Sequence, residues 1–178
     1  MLFRSATPNA LFATAFDQGV LRAEVAADGA LGPLAPAGIP GPATELAQEG
    51  AHLVVGDVTG VVRAFALDGA GSVTPRGATT LDGPVLQLRV RGDRAFAALG
   101  SSGAAELDLA TSPPTVVRRV DVPCVATAID ALDGAWLVGC PTGIVLLDVR
   151  SQPRIAGFRV ARHGSLDVRL LPNARALA

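Results

Sequence analysis

The sequence predicts an all-β fold assembled from one four-stranded unit used about four times. Three observations lead there. Turn formers are dense, with 20 glycines and 13 prolines among 178 residues, the supply that many short strands and tight turns require. Apolar residues alternate with a period of two, as in "VLQLRV", where Val85, Gln87 and Arg89 point one way and Leu86, Leu88 and Val90 the other. No stretch of useful length follows a 3.6-residue helical period. Finally, a glycine-led run recurs. Gly19 opens "GVLRAEVA", Gly60 "GVVRAFAL", Gly103 "GAAELDLA" and Gly143 "GIVLLDVR". The intervals between these glycines are nearly equal, which marks an internal repeat.

The neighbours of each run complete the unit. Before the glycines lie "ALFATAF", "AHLVVGD", "RAFAALG" and "AWLVGC", and ahead of those come "TELAQEG", "LQLRVRGD" and "ATAIDALDG", each ending at a tight turn. Downstream sits a looser strand such as "TVVRRVDV" or "PRIAGFRV". Four short strands per roughly 41 residues is the signature of a β-propeller blade. Innermost strands are expected near 42–49, 84–91, 124–131 and 165–171, and second strands near 10–15, 51–56, 94–99 and 135–140. Third strands follow the four glycines, and outer strands fall near 34–39, 73–79, 114–121 and 153–159. Gly92-Asp93 and Asp133-Gly134 join first to second strands, where two-residue hairpins want residues that tolerate positive φ. "GIVLLDVR" is apolar on both faces, as a strand sandwiched between neighbouring blades should be.

The blades then span 1–40, 41–81, 82–121 and 122–160, and 161–178 begins a fifth. Propellers close with roughly 4–8 blades, which leaves three arrangements open. Four blades close on themselves, two chains join in an eight-bladed ring, or the chain is part of a longer propeller. Crowding at the axis of a small ring favours the latter two, so the fold expected is a partial or self-completing propeller.

Composition excludes several classes. At 49% hydrophobic residues and a mean hydropathy of +0.41, the chain is too apolar for disorder. No uninterrupted apolar run approaches the roughly 18 residues of a membrane span. A net charge of −1 gives no footprint for nucleic acid. All 15 basic residues are Arg, which reflects GC-rich coding. The start, "MLFRSATPNALFATAFDQG", is too broken by polar residues for a signal peptide. The compartment stays open: cytoplasmic if this start is genuine, secreted or surface if the chain is a fragment.

"GAAELDLATSPPTVVRRVDVP" and "GIVLLDVRSQPRIAGFRV" resemble the LVIVD and YVTN families of bacterial propeller repeats, in which a Gly-led strand ends in Asp before a Pro-containing turn and a returning strand. "VLRAEVAADGALGPLAPAGIPGP" is similar to blades of lactonase-like seven-bladed propellers. The resemblance covers nearly the whole chain and implies a propeller fold, with scaffolding in some members and sugar-lactone hydrolysis in others. A lactonase would show convergent His, Arg and acidic residues. With two histidines in total, no catalytic residue is carried over.

The remaining candidates come from the residues themselves. Cys124 and Cys140, the only cysteines, lie almost symmetrically about the Asp133-Gly134 turn, which makes them a candidate disulfide; the alternative is two small buried apolar residues. They do not make a zinc site, which wants four ligands, and neither His52 nor His163 stands at a metal-ligand spacing. Glu24, Asp108 and Asp148 each lie five residues after a leading glycine, where an acidic group fixes the next turn through backbone N–H groups. Trp136 is expected to pack between blades. Propellers meet ligands on the rim built from second-to-third strand loops and blade-to-blade connectors. Asp17, Asp57, Asp82, Ser101, Ser102, Asp121, Arg162 and His163 fall there. The function expected is a non-enzymatic module that binds a protein or a second copy of itself, needing no cofactor or metal. The alternative is part of a lactonase-like or other hydrolase propeller.

Overall fold

A computed structural model describes residues 4–6, 9–132 and 134–160. The expected strand at 165–171 and the start of a fifth blade lie outside the described residues. Among the described residues, sixteen strands and no helix form four antiparallel sheets, each a meander in chain order. The first holds β1 (Arg4–Ala6), β2 (Ala10–Thr14), β3 (Val20–Glu24) and β4 (Ala35–Ile39). The second holds β5 (Glu45–Glu49), β6 (His52–Gly56), β7 (Val61–Leu67) and β8 (Val73–Thr80). The third holds β9 (Gln87–Arg91), β10 (Arg94–Ala98), β11 (Ala104–Asp108) and β12 (Thr115–Val120). The fourth holds β13 (Ala128–Leu132), β14 (Ala135–Cys140), β15 (Gly143–Asp148) and β16 (Arg154–Val160). These are four propeller blades.

A blade is apolar on both faces, so it cannot shield itself. The structure answers with three cores, each lying between two consecutive blades. Phe12, Val20 and Ile39 of the first meet Leu46, Leu53 and Phe65 of the second. Val54, Val62 and Leu81 of the second meet Leu88, Ala97 and Leu107 of the third. Phe96, Ala104 and Val120 of the third meet Ile129, Trp136 and Val145 of the fourth. Each fully buried Val, Leu or Phe contributes about 1.5–3 kcal/mol, so the stability of this fold sits in the junctions. Among the described residues, substantial packing between sheets joins only consecutive blades.

The glycine that leads each third strand has a specific task. At Gly19, Gly60 and Gly103 the backbone takes φ of +77°, +88° and +76°. A Cβ there would stand 2.1, 2.5 and 2.2 Å from the carbonyl oxygens of Ile39, Leu81 and Val120, at the end of the outer strand. Only glycine lets the third strand start so close to its neighbour.

The inner strands β5, β9 and β13 begin at Glu45, Gln87 and Ala128, three or four residues later than expected. The residues ahead of them pair with the preceding blade instead. The N–H groups of Ala43, Val85 and Ala126 donate to the carbonyls of Phe16, Asp57 and Gly100 at 3.0, 3.0 and 2.9 Å. Val85 therefore belongs to the same core as Leu88 and Val90, not to the face of Gln87. Gln87 instead reaches the next blade, where its Oε1 accepts the Ile129 N–H at 2.7 Å.

Candidate functional site: the loop rim

In an antiparallel meander the second-to-third strand loop and the exit of the fourth strand lie at one end of the sheet. In this chain the three backbone links between blades tie those loops to the connectors, so both sets form one continuous rim. At each junction the rim exposes one large apolar side chain. Phe16 is 51% exposed between the first and second blades, Val58 48% between the second and third, and Val125 46% between the third and fourth.

Phe16 is held outward by its backbone. It is the one described non-glycine residue at positive φ, +44°, a conformation that persists only where the surroundings impose it. Here its carbonyl accepts both the Gly19 and the Ala43 N–H, each at 3.0 Å.

Among the residues expected on this rim, Asp17, Asp82, Ser101 and Asp121 are exposed. Asp82 forms an ion pair with Arg119, and its backbone carbonyl accepts the Ser102 hydroxyl at 3.1 Å. Asp57 is placed differently: it is fully buried. Its Oδ1 accepts from the Thr59 N–H at 2.8 Å, the Thr59 hydroxyl at 2.6 Å and the Val61 N–H at 3.2 Å, and its Oδ2 from Arg63 at 3.1 Å. Burial pushes the Asp57 carboxyl up, but these hydrogen bonds and the Arg63 charge together hold it below the usual carboxylate range. Asp57 braces its loop from within. Arg162 and His163 lie outside the described residues.

Cys124 and Cys140 are joined in a disulfide with Cα atoms 5.9 Å apart. The bond does not cross the β13–β14 hairpin. Cys124 stands on the connector, four residues before β13, because that connector belongs to the junction with the third blade.

The opposite rim carries a polar framework that the spacing from the glycines only partly revealed. Asp28, Asp68, Asp108 and Asp148 recur at one constant interval, a blade apart. Each accepts the N–H of the residue two further on, Ala30, Ala70, Ala110 and Arg150, at 2.9–3.2 Å. In the first blade the turn is thus fixed by Asp28 and not by Glu24. Hydrogen bonds from Arg150, with Arg154 adding another, hold the Asp148 carboxyl far below the usual carboxylate range. His52 Nε2 lies 2.8 Å from Asp93 Oδ1, bridging the second and third blades.

On that side a cleft of about 370 Å³ between the third and fourth blades is lined by Arg91, Arg94, Arg118 and Arg150. Three of the four charges are matched from within the chain. Arg91 pairs with Asp130 at 3.0 Å, Arg94 with Asp108 at 3.4 Å and Arg150 with Asp148 at 3.0 Å, while Arg118 donates to the Val149 carbonyl. The cleft is an internal ion network. Among the described residues, no group of three or more His, Cys, Asp or Glu is placed to hold a metal ion, and no helix is long and apolar enough to cross a membrane.

No protein-family model and no curated protein matches the chain. Solved structures do. The computationally designed Ika8 protein is similar over 96% of this chain and 52% of its own, at 12% identity and a TM-score of 0.76. BamB from Moraxella catarrhalis is similar over 89% of this chain and 48% of its own, at 17% identity and a TM-score of 0.65. The designed Ika4 protein is similar over 74% of this chain and 81% of its own, at 11% identity and a TM-score of 0.62. The chain spans about half the length of the first two. At such identities the likeness concerns the fold alone, and that fold is a β-propeller scaffold of four four-stranded blades.

Proposed function

We propose that this propeller is a protein-binding scaffold that takes its partner on the loop rim. The observation that carries the reading is the placement of Phe16, Val58 and Val125, one half-exposed apolar side chain at each of three successive junctions. Apolar anchors surrounded by polar groups suit a protein interface, where a few central contacts supply most of the affinity. The surroundings here are acidic, with Asp17 and Asp121 exposed and only Asp82 neutralised by Arg119. The partner surface that fits is apolar with basic residues around it.

The test compares three immobilised chains against extract of the source cells. These are the native chain, a Phe16→Asp/Val58→Asp/Val125→Asp variant, and a control with Ala51→Asp and Gly92→Asp at the opposite rim. A protein kept by the native chain and the control but lost from the rim variant, and then bound again in purified form, supports the reading. Equal retention by all three overturns it, provided circular dichroism shows the rim variant folded.

A further inference from the structure

We propose that the Cys124–Cys140 disulfide is a reversible latch on the rim, the fourth-blade form of a fastening that earlier blades make without sulfur. Two residues before the inter-blade donors Ala43, Val85 and Ala126 stand Gly41, Gly83 and Cys124. The loops they meet start at Asp57, Leu99 and Cys140, each directly after the last residue paired with the inner strand. Both series advance along the chain by the same intervals. Equivalent stretches of connector and loop thus lie side by side in the second, third and fourth blades.

The chemistry differs at each. At the second blade Arg63 donates to the Pro42 carbonyl at 3.2 Å and to Asp57 Oδ2 at 3.1 Å, binding connector and loop through one guanidinium. At the third, Ser102 donates to the Asp82 carbonyl at 3.1 Å. There a Cβ on Gly83 would stand 2.7 Å from the Leu99 carbonyl oxygen, so the backbones lie against each other. At the fourth, Val145 occupies the strand position of Arg63, since Val55 pairs with Arg63 and Val138 with Val145. Val145 has no side-chain donor. The sulfur bond does the fastening there.

Cys140 is fully buried, while Cys124 is only partly buried. A thiolate from solvent therefore attacks the Cys124 sulfur and releases Cys140 as a thiolate, which takes up a proton. The second thiol of a dithiol reductant then displaces Cys124 from the mixed disulfide. Two electrons and two protons pass to the protein, and the reductant leaves as its own disulfide. Oxidising surroundings keep the latch shut and reducing ones open it. Val125 is the next residue, so the latch governs the third apolar anchor of the rim. That last consequence rests on the binding role proposed above.

Hydrogen exchange on the full chain, oxidised and after dithiothreitol, tests the latch without any partner. Segment 121–127 is expected to exchange about ten-fold faster or more on reduction, while 41–47 and 83–90 keep their protection. Oxidised glutathione should reverse the change. A Cys124→Ser/Cys140→Ser chain should match the reduced protein and ignore dithiothreitol. Unchanged exchange at 121–127 after both thiols alkylate would overturn the latch. So would loss of protection spread evenly over all blades, or alkylation of both cysteines before any reductant is added. Because no partner enters, failure here leaves the rim interface to be decided by its own experiment.

Discussion

Phe96 and Trp136 meet edge to face across the junction of the third and fourth blades, with ring centroids 5.7 Å apart and planes at 76°. Trp136 is 1% exposed and is the only tryptophan, so it both holds this junction and reports on it. Trp136→Ala is expected to cost about 3–5 kcal/mol, read from urea unfolding. The native chain should show the blue-shifted emission of a dry indole, moving red in the same transition that melts its sheets.

Asp57 makes stability depend on acid. Its carboxyl titrates lower in the folded chain than in the unfolded one, so its contribution is complete above the usual carboxylate range. As the pH falls through that range toward the lower folded value, the unfolded chain gains the proton first and the contribution is lost. Asp57→Ala leaves Arg63 and two loop N–H groups without their acceptor and should cost about 3 kcal/mol at neutral pH. The deficit should shrink when unfolding is repeated near pH 3. A deficit independent of pH would show that the carboxylate charge is not the cause.

Two glycines separate backbone strain from collision. Gly92 has φ of +53° with nothing within 4 Å of an added Cβ, whereas Gly103 has φ of +76° and the Val120 oxygen at 2.2 Å. Gly92→Ala should cost about 1–2 kcal/mol, the left-handed penalty alone. Gly103→Ala should cost roughly 2–4 kcal/mol, because a displaced strand is added to that penalty. Paired thermal melts measure the difference.

Arg91 covers a carboxylate that water does not reach. Asp130 is 0% exposed, with its oxygens 3.0 and 3.2 Å from the Arg91 guanidinium. Arg91→Met is expected to cost about 2–4 kcal/mol. Arg91→Met/Asp130→Leu should recover much of that loss, since both charges then leave together. A double-mutant cycle gives the coupling.

The repeat was legible because its physical demands are local. Gly19, Gly60 and Gly103 mark places where a side chain would strike a carbonyl, so the period could be counted from glycines alone. Asp28, Asp68, Asp108 and Asp148 were equally open to counting, since their step never varies. They were obscured because Glu24 stands at the same distance from its glycine as Asp108 and Asp148 from theirs. Phe16, Val58 and Val125 are not of one residue type and hold no common repeat position, so only the assembled rim brings them into one series.

By itself the amino-acid order determined which segments become strands, how they pair within a blade, and that each blade needs a neighbour on both faces. Strand period, turn residues and glycine placement act over a few residues, and they survive in the linear text. Tertiary structure alone decided that Ala43, Val85 and Ala126 bond backward to the preceding blade, that Asp57 turns inward, and that Cys124 reaches the fourth blade from its connector. Those outcomes depend on the angle at which one apolar sheet settles on the next, and packing sets that angle between segments a whole blade apart in the chain.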